Sequence, residues 1–109
     1  MTTLTPKPRK QGRARTRKNS EIAEIITPII KRCGIGYETL TDPNDRTERV
    51  LMMRKAVIHV AACNGLSYRA IGKVLNMSGK LAGDYDRDAV KQYKENNHFR
   101  NLVDWIAGI

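Results

Sequence analysis

Residues 50–61 constrain the fold more than any other stretch, because they are apolar around most of the circumference of a helix. The apolar side chains include Val50, Leu51, Met53, Ala56, Val57, Ile58, Val60 and Ala61. A helix of this kind must be covered by neighbours on more than one face. It is predicted to begin at Asp42-Pro43, which has the sequence of a helix N-terminus, and to end near Cys63, before Asn64-Gly65.

Another helix is predicted before this central one. Ser20 is a suitable N-cap, and the apolar residues that follow it at helical spacing are Ile22, Ile25, Ile26, Ile29 and Cys33. Pro28 leaves two alternatives, a single kinked helix or two short helices, and Gly34 and Gly36 end the segment. Residues 34–41 then form a connector, with Leu40 as its buried anchor.

Two further helices and a C-terminal segment complete the predicted fold. Ser67 caps a short helix over residues 68–75, residues 76–78 form a turn, and a long helix runs from about residue 79 to 95. In residues 97–109 the apolar side chains at helical spacing are Phe99, Leu102, Val103, Trp105 and Ile106. This segment either packs back on the core or forms a homodimer. No segment alternates like a β-strand, so the predicted fold is an all-α, compact helical bundle.

Positive charge is concentrated at the N-terminus. Seven of the 20 Lys and Arg residues lie within residues 1–20, which contain no acid, and the remaining chain carries 13 Lys and Arg against 11 Asp and Glu. The composition of residues 1–19 is that of a disordered basic arm. Such an arm on a nearly neutral domain is typical of proteins that bind polyanions, and the alternative is a solubilising tail.

Several classes of protein are not expected. No apolar run approaches the length of a membrane span, and the basic N-terminus lacks the apolar core of a secretory signal. Cys33 and Cys63 are predicted to be buried, reduced thiols rather than a disulfide, as in a cytoplasmic protein. His59 and His98 are not spaced like a zinc motif, and His59 is expected only to pack on its helix. No enzyme activity, catalytic residue, metal or cofactor is therefore expected.

Residues 68–95 have the pattern of a helix-turn-helix, the motif with which many proteins enter the major groove of DNA. On a helical wheel, the second helix has a core stripe formed by Ala82, Tyr85, Ala89 and Tyr93. Its outward face is basic and carries Lys80, Arg87, Lys91 and Lys94.

Three aspartates also lie on this second helix, although a helix that faces DNA approaches a polyanion. Asp84 falls on the basic face, Asp88 on its flank and Asp86 near the core boundary. The favoured interpretation is that Asp84 and Asp88 pair with lysines. The alternatives are that Asp84 accepts a hydrogen bond from a cytosine amino group, or that it deters binding to wrong sites.

Four segments carry a resemblance to a known family. EIAEIITPIIKRCGI, YETL and RTER match its first helix, connector and basic loop, and RKAVIHVAACNGLSYRAIG matches its long buried helix and the start of its motif. By these segments, residues 20–96, about 70% of the chain, resemble the C-terminal DNA-binding domain of the bacterial replication initiator DnaA, a Trp-repressor-like helix-turn-helix.

This resemblance has two departures. GKLAG stands where the family has an Asp-His-(Ser/Thr)-Thr-Val run, and no phosphate-binding loop G-x-x-x-x-G-K-[ST] is present. A stand-alone domain of this kind resembles small regulators of phages or mobile elements. The residues GLSYRAIGKVLNMS are also similar to the helix-turn-helix of sigma-factor region 4.

The resemblance implies a double-stranded DNA-binding protein that regulates transcription or replication, in the bacterial cytoplasm or nucleoid or in the host of a phage. It places Arg46 and Arg49 at the DNA backbone and minor groove, and Ser67 and Tyr68 where backbone amides face a phosphate. The full set of predicted DNA-contacting residues is Arg13, Arg15, Arg17, Lys18, Arg46, Arg49, Ser67, Tyr68, Arg69, Lys73, Ser78, Gly79, Lys80, Asp84, Arg87 and Lys91.

Two other functions remain as alternatives. The first is a small protein-binding factor that engages host RNA polymerase or a replication protein. The second is RNA binding, which is disfavoured because the chain has few aromatic residues to stack on bases. A role on a membrane surface is not expected, since the basic arm has no hydrophobic face.

Overall fold

The computed structural model describes residues 19–108, and this part of the chain forms six helices and no strand. The helices are α1 (Asn19–Cys33), α2 (Tyr37–Thr41), α3 (Glu48–Cys63), α4 (Tyr68–Leu75), α5 (Gly79–Glu95) and α6 (Asn97–Ala107). The prediction of an all-α bundle is confirmed. The arm residues predicted to bind DNA lie outside the described residues: Arg13, Arg15, Arg17 and Lys18.

α3 is the centre of the fold and contacts each of the other five helices. Ala56, Val57 and Ile58 are three successive residues on different sides of α3, and all three are fully buried. This burial confirms the prediction of a helix covered on more than one face. The conformational entropy that these side chains lose on burial is offset by the removal of their apolar surface from water.

The start of α3 differs from the sequence prediction. α3 begins at Glu48 rather than at Asp42-Pro43. The Asp42 carboxylate accepts a hydrogen bond from the Asn44 amide at 2.9 Å, and the Asp45 carboxylate accepts one from the Thr47 amide at 3.3 Å. These local bonds give the backbone an alternative to the helix, so both aspartates form turns instead of capping α3.

A buried arginine joins α3 to the connector. Arg54 is only 5% exposed, and its Nε donates to the Leu40 carbonyl at 2.6 Å while its guanidinium also donates to the Asp42 carbonyl. Leu40 is fully buried, as predicted, although the connector contains the short helix α2. The hydrogen bonds to both carbonyls satisfy a cation that burial would otherwise destabilise.

α1 is a single helix that contains Pro28, which settles the alternative left by the sequence. Its end is joined to α6 by two reciprocal hydrogen bonds. Arg32 Nε donates to the Ile106 carbonyl at 2.6 Å, and Trp105 Nε1 donates to the Arg32 carbonyl at 3.1 Å. α6 packs against α1, α3 and α5, and its buried side chains are Phe99, Val103 and Ile106.

Cys33 and Cys63 are both free thiols, as predicted, but only Cys33 is buried. The prediction that both are buried is wrong for Cys63. This residue occupies the last turn of α3, about 200° around the helix from the buried Ala61, on a side that no helix covers completely. Within residues 19–108, no helix has both the length and the apolar character needed to cross a bilayer.

Candidate nucleic-acid interface

α4 and α5 form two helices joined by residues 76–78, with the boundaries that the sequence predicts. Both begin with a serine cap: Ser67 Oγ accepts from the Ala70 amide at 3.1 Å, and Ser78 Oγ accepts from the Leu81 amide at 3.0 Å. Asn76 is in the left-handed region, with φ 60° and ψ 48°, and so reverses the chain at the end of α4.

Close backbone contacts fix how α5 crosses α4. A Cβ on Gly72 would lie 2.4 Å from the Met77 carbonyl oxygen, so the turn requires glycine there. A Cβ on Gly79 would lie 3.3 Å from the Cα and the amide nitrogen of Arg69. The first turn of α5 therefore lies directly against the first turn of α4, and the two helix N-termini share one side of the molecule.

Asp86 connects three helices. Its Oδ1 accepts from His59 Nδ1 of α3 at 2.8 Å, and its Oδ2 accepts from the Tyr68 hydroxyl of α4 at 2.5 Å. Asp86 as a whole is 7% exposed. The Tyr68 ring also packs on α5, where a Cβ on Gly83 would lie 3.1 Å from it. Tyr68 is thus a residue that positions α5, and its hydroxyl is not available to a phosphate.

The protonation states of this cluster follow from its hydrogen bonds. The bond to Asp86, helped by the nearby thiol of Cys63, raises the pKa of His59 from 6.5 to about 10. Burial by itself raises the pKa of Asp86, but hydrogen bonds from His59 and Tyr68 outweigh burial and hold that pKa below its usual value. The hydrogen bond to Asp86 raises the pKa of Tyr68 to about 12. At neutral pH the cluster is an imidazolium–carboxylate pair.

The sequence prediction for His59, which had it only packing on its helix, is wrong. Asp86 follows Ala82 by four residues and precedes Ala89 by three, so all three occupy one stripe of α5. Because the two alanines are small and fully buried, α5 approaches α3 closely there, and a carboxylate on that stripe reaches the imidazole. That spacing is a signal in the sequence that could have placed Asp86 inside the protein.

The outward face of α5 has the composition that the helical wheel predicts. Its exposed charged residues are Lys80, Asp84, Arg87, Lys91 and Lys94, together with Glu95, which the wheel did not include. Asp84 is paired with both Lys80, at 3.5 Å, and Arg87. The hydrogen bond from Arg87 is the main reason that the pKa of Asp84 is lowered. Asp88 is paired instead with Lys55 of α3, at 2.5 Å. Both aspartates therefore have the lysine partners that the favoured interpretation expects.

The sequence analysis did not identify two large apolar side chains that are exposed on α5. Leu81 is 41% exposed and Val90 is 39% exposed. On the helical wheel they lie on opposite edges of the basic face, about 80–100° from its centre. An exposed apolar side chain beside Lys80 is suited to contact a thymine methyl group. Their positions on the wheel, outside the core stripe, could have indicated that they are exposed.

The other predicted DNA-contacting residues fall into two groups. Arg69 and Lys73 are exposed on α4, and Lys73 also borders an apolar groove against α1. Arg46 and Arg49 are exposed near the start of α3. Because α3 and α5 run antiparallel, this places Arg46 and Arg49 at the C-terminal end of α5, roughly 25 Å from its first turn. The structure does not bring them together with Ser78, Gly79 and Lys80.

Comparison of the chain with protein-family models, curated proteins and solved structures finds no match. Among residues 19–108, no three His, Cys, Asp or Glu side chains are grouped so that they could hold a metal ion. The surface formed by the first turns of α4 and α5 and by the outward face of α5, called here the α4–α5 surface, is the best candidate for a functional site.

Proposed function

We propose that this protein binds double-stranded DNA, with α4 and α5 acting as a helix-turn-helix and α5 lying in the major groove. The resemblance to the DNA-binding domain of the DnaA family supports a regulator of transcription or replication. It also supports a phage or mobile-element origin and a place in the bacterial cytoplasm or nucleoid.

The observation that carries this proposal is the contact of Gly79 with Arg69. Since it sets the first turns of α4 and α5 side by side, Arg69 of α4 and Lys80 of α5 begin one continuous basic surface. Arg87 and Lys91 extend that surface along α5. Cations in this arrangement reach phosphates on both sides of a groove while the helix between them reaches the base edges.

In this proposal each group has a definite task. Lys80, Arg87 and Lys91 neutralise phosphates, and the amides at the start of α4 face the backbone near Ser67. Leu81 contacts base edges in the groove. The Asp86 cluster holds α5 at a fixed angle to α4 and so preorganises the surface. Arg46 and Arg49 reach backbone beyond the far end of α5.

A binding experiment on paired variants tests the proposal. Fluorescence anisotropy with a labelled duplex, at one fixed salt concentration, compares the wild type with Lys80→Gln and Lys91→Gln. Lys31→Gln is the matched control, because Lys31 is an exposed lysine on α1. We expect each α5 variant to weaken binding several-fold and the control to leave it unchanged. Equal effects of all three would mean that the duplex responds only to net charge and not to the α4–α5 surface.

An apolar groove favours a second candidate function. It lies between α1, the connector and α4, has a volume of about 720 Å³ and is lined mainly by Ile22, Ile26, Ile30, Ile35, Tyr37 and Val74. Lys31 and Lys73 border it. This composition suits an amphipathic helix with acidic flanks from RNA polymerase or a replication protein.

The two candidates can be separated with one substitution. Ala23→Glu puts a carboxylate into the groove at an exposed position of α1, away from the α4–α5 surface. Under the proposed function it leaves duplex binding unchanged. Under the second candidate, Ala23→Glu abolishes binding to purified bacterial RNA polymerase, measured by surface plasmon resonance. In that case the wild-type protein also shows no saturable binding to the duplex.

A further inference from the structure

Cys63 completes a chain of three side chains that DNA binding does not require. Its Sγ lies 3.7 Å from His59 Nε2, and His59 Nδ1 lies 2.8 Å from Asp86 Oδ1. His59 and Cys63 are one helical turn apart on α3, so the helix itself sets their approach. The thiol is exposed, whereas Cys33 is buried and donates to the Ile35 carbonyl at 3.6 Å.

This order of groups is the one that makes a thiol nucleophilic. The protonated imidazole nitrogen that faces the sulfur favours the thiolate by its positive charge and by hydrogen bonding. The other imidazole nitrogen is fixed by a carboxylate, which selects the ring orientation and favours its protonated form. The cluster raises the pKa of His59 to about 10, so the imidazolium persists through the physiological range.

Other charged or titratable groups border this chain, and none replaces His59 at the sulfur. From α5, the centroid of the Tyr93 ring lies 6.0 Å from that of the His59 ring. Arg87, also on α5, interacts with Asp86 by charge alone, without a hydrogen bond. From α4, Tyr68 is bonded to Asp86. On α3 itself, Lys55 is paired with Asp88.

We propose that Cys63 is a thiol-modification site that forms a mixed disulfide with a low-molecular-weight disulfide such as oxidised glutathione. The Cys63 proton passes to solvent, the His59 imidazolium stabilises the resulting thiolate through Nε2–H, and the thiolate attacks one sulfur of the reagent. A new S–S bond forms at Cys63 while the reagent's own S–S bond breaks. The departing sulfur leaves as a thiolate with that bond's electron pair, so Cys63 is oxidised and one equivalent of small thiol is released. Asp86 is a positioning residue in this step.

The test is the rate of modification of each cysteine in the folded full-length chain by oxidised glutathione, followed by peptide mass spectrometry at pH 6.5. We expect Cys63 to react about tenfold faster than free cysteine under the same conditions, with no modification of Cys33 on that timescale. A Cys63 rate equal to or below that of free cysteine would overturn the proposal, and this comparison needs no variant.

Two variants then assign the cause. His59→Gln should slow Cys63 about tenfold at pH 6.5, and the difference should shrink toward none at pH 9.5, where a thiol ionises without help. Asp86→Asn should have the same pH profile with a smaller loss. Circular dichroism tests whether each variant is folded. If a variant is not folded, its Cys63 modification rate is compared with that of wild type unfolded in concentrated urea, and the two rates should be equal. Identical rates in folded wild type and folded His59→Gln would contradict the role of the imidazole.

Discussion

The Tyr68 hydroxyl donates to Asp86 at 2.5 Å, and so the first residue of α4 is bonded to the middle of α5. The carboxylate that receives this bond also holds His59 of α3. The angle between the two helices of the proposed DNA-binding motif is therefore determined by a polar contact as well as by apolar packing. The first two predictions concern the energy of that contact.

Asp86→Ala should destabilise the protein by about 1–3 kcal/mol, because it leaves the part-buried His59 and the Tyr68 hydroxyl without their hydrogen-bond partner. Asp88→Ala is the matched control on the same helix. Its pair with Lys55 is partly exposed, so its loss should cost under about 1 kcal/mol. Urea denaturation monitored by circular dichroism measures both. A loss for Asp86→Ala as small as that of the control would show that the cluster contributes little to stability.

Stability should depend on pH through the same pair. The pKa of His59 is raised from 6.5 to about 10 on folding, so its contribution is complete below pH 6.5 and declines as the pH rises toward 10. The pKa of Asp86 is lowered on folding, so its contribution is complete above its usual value of 3.8 and declines only in stronger acid. We expect the free energy of unfolding to be highest between about pH 4 and 6.5.

His59→Gln isolates that dependence, since glutamine keeps a hydrogen-bond donor but does not titrate. The difference in unfolding free energy between wild type and variant should narrow steadily between pH 6.5 and 9.5. Cys63→Ser serves as a control for ionisation of the neighbouring thiol. A difference that stays constant across this range would show that the pKa of His59 is not raised in the folded protein.

Gly72→Ala should destabilise the protein by about 2–4 kcal/mol, because a Cβ there would meet the Met77 carbonyl oxygen at 2.4 Å and push α5 away from α4. Gly36→Ala is the control, since nothing lies within 4 Å of its added Cβ and its φ is negative. Thermal unfolding compares the two. Similar melting temperatures would mean that the turn can shift without cost.

Asp84→Asn should tighten non-specific duplex binding, because it frees Lys80 and Arg87 and removes a negative charge from the α4–α5 surface. The DNA consensus should be unchanged. If Asp84 accepts from a cytosine instead, discrimination at one base pair falls by about 1–3 kcal/mol. Sequence selection on wild type and variant at one salt concentration decides between these outcomes. Weaker binding to every sequence would indicate that α5 does not face DNA.

Removal of residues 1–18 should reduce the salt dependence of duplex binding. Each neutralised phosphate contributes about −0.9 to the slope of log K against log salt, so an arm that uses half of its seven cations contributes roughly 3 units. The truncation ends just before α1, at Asn19. The slope is measured from binding titrations between roughly 50 and 200 mM salt. An unchanged slope would show that the arm does not touch DNA.

The parts of the fold that were predictable from sequence are those fixed by local chemistry. Ser67 and Ser78 mark the starts of α4 and α5, because a serine cap depends only on the next three residues. The start of α3 was misplaced because Asp42-Pro43 has the same local pattern as a cap. In the folded chain the Asp42 carbonyl also accepts a hydrogen bond from Arg54, a residue of α3, and no local pattern at Asp42-Pro43 shows that contact.

The cluster of Asp86 could not be assembled from local pattern alone. His59 and Asp86 are 27 residues apart, and their contact requires α3 and α5 to pack antiparallel in one register. Trp105 is the opposite case, because local pattern suggests burial for a residue that is exposed. It shares helical spacing with buried residues of α6, yet it is 70% exposed, because Phe99, Val103 and Ile106 alone form the stripe that faces the core.

The central position of α3 has a consequence for the way this protein opens. Each other helix rests on α3, so α3 can lose its cover completely only when the whole bundle separates. Amide hydrogens around Val57 and Ile58 should therefore exchange with solvent only through global unfolding, whereas those of α2 exchange through small local openings. We therefore expect the helices packed on α3, apart from α2, to unfold as one cooperative unit, and a ligand that binds only the folded α4–α5 surface to slow exchange throughout α3 as well.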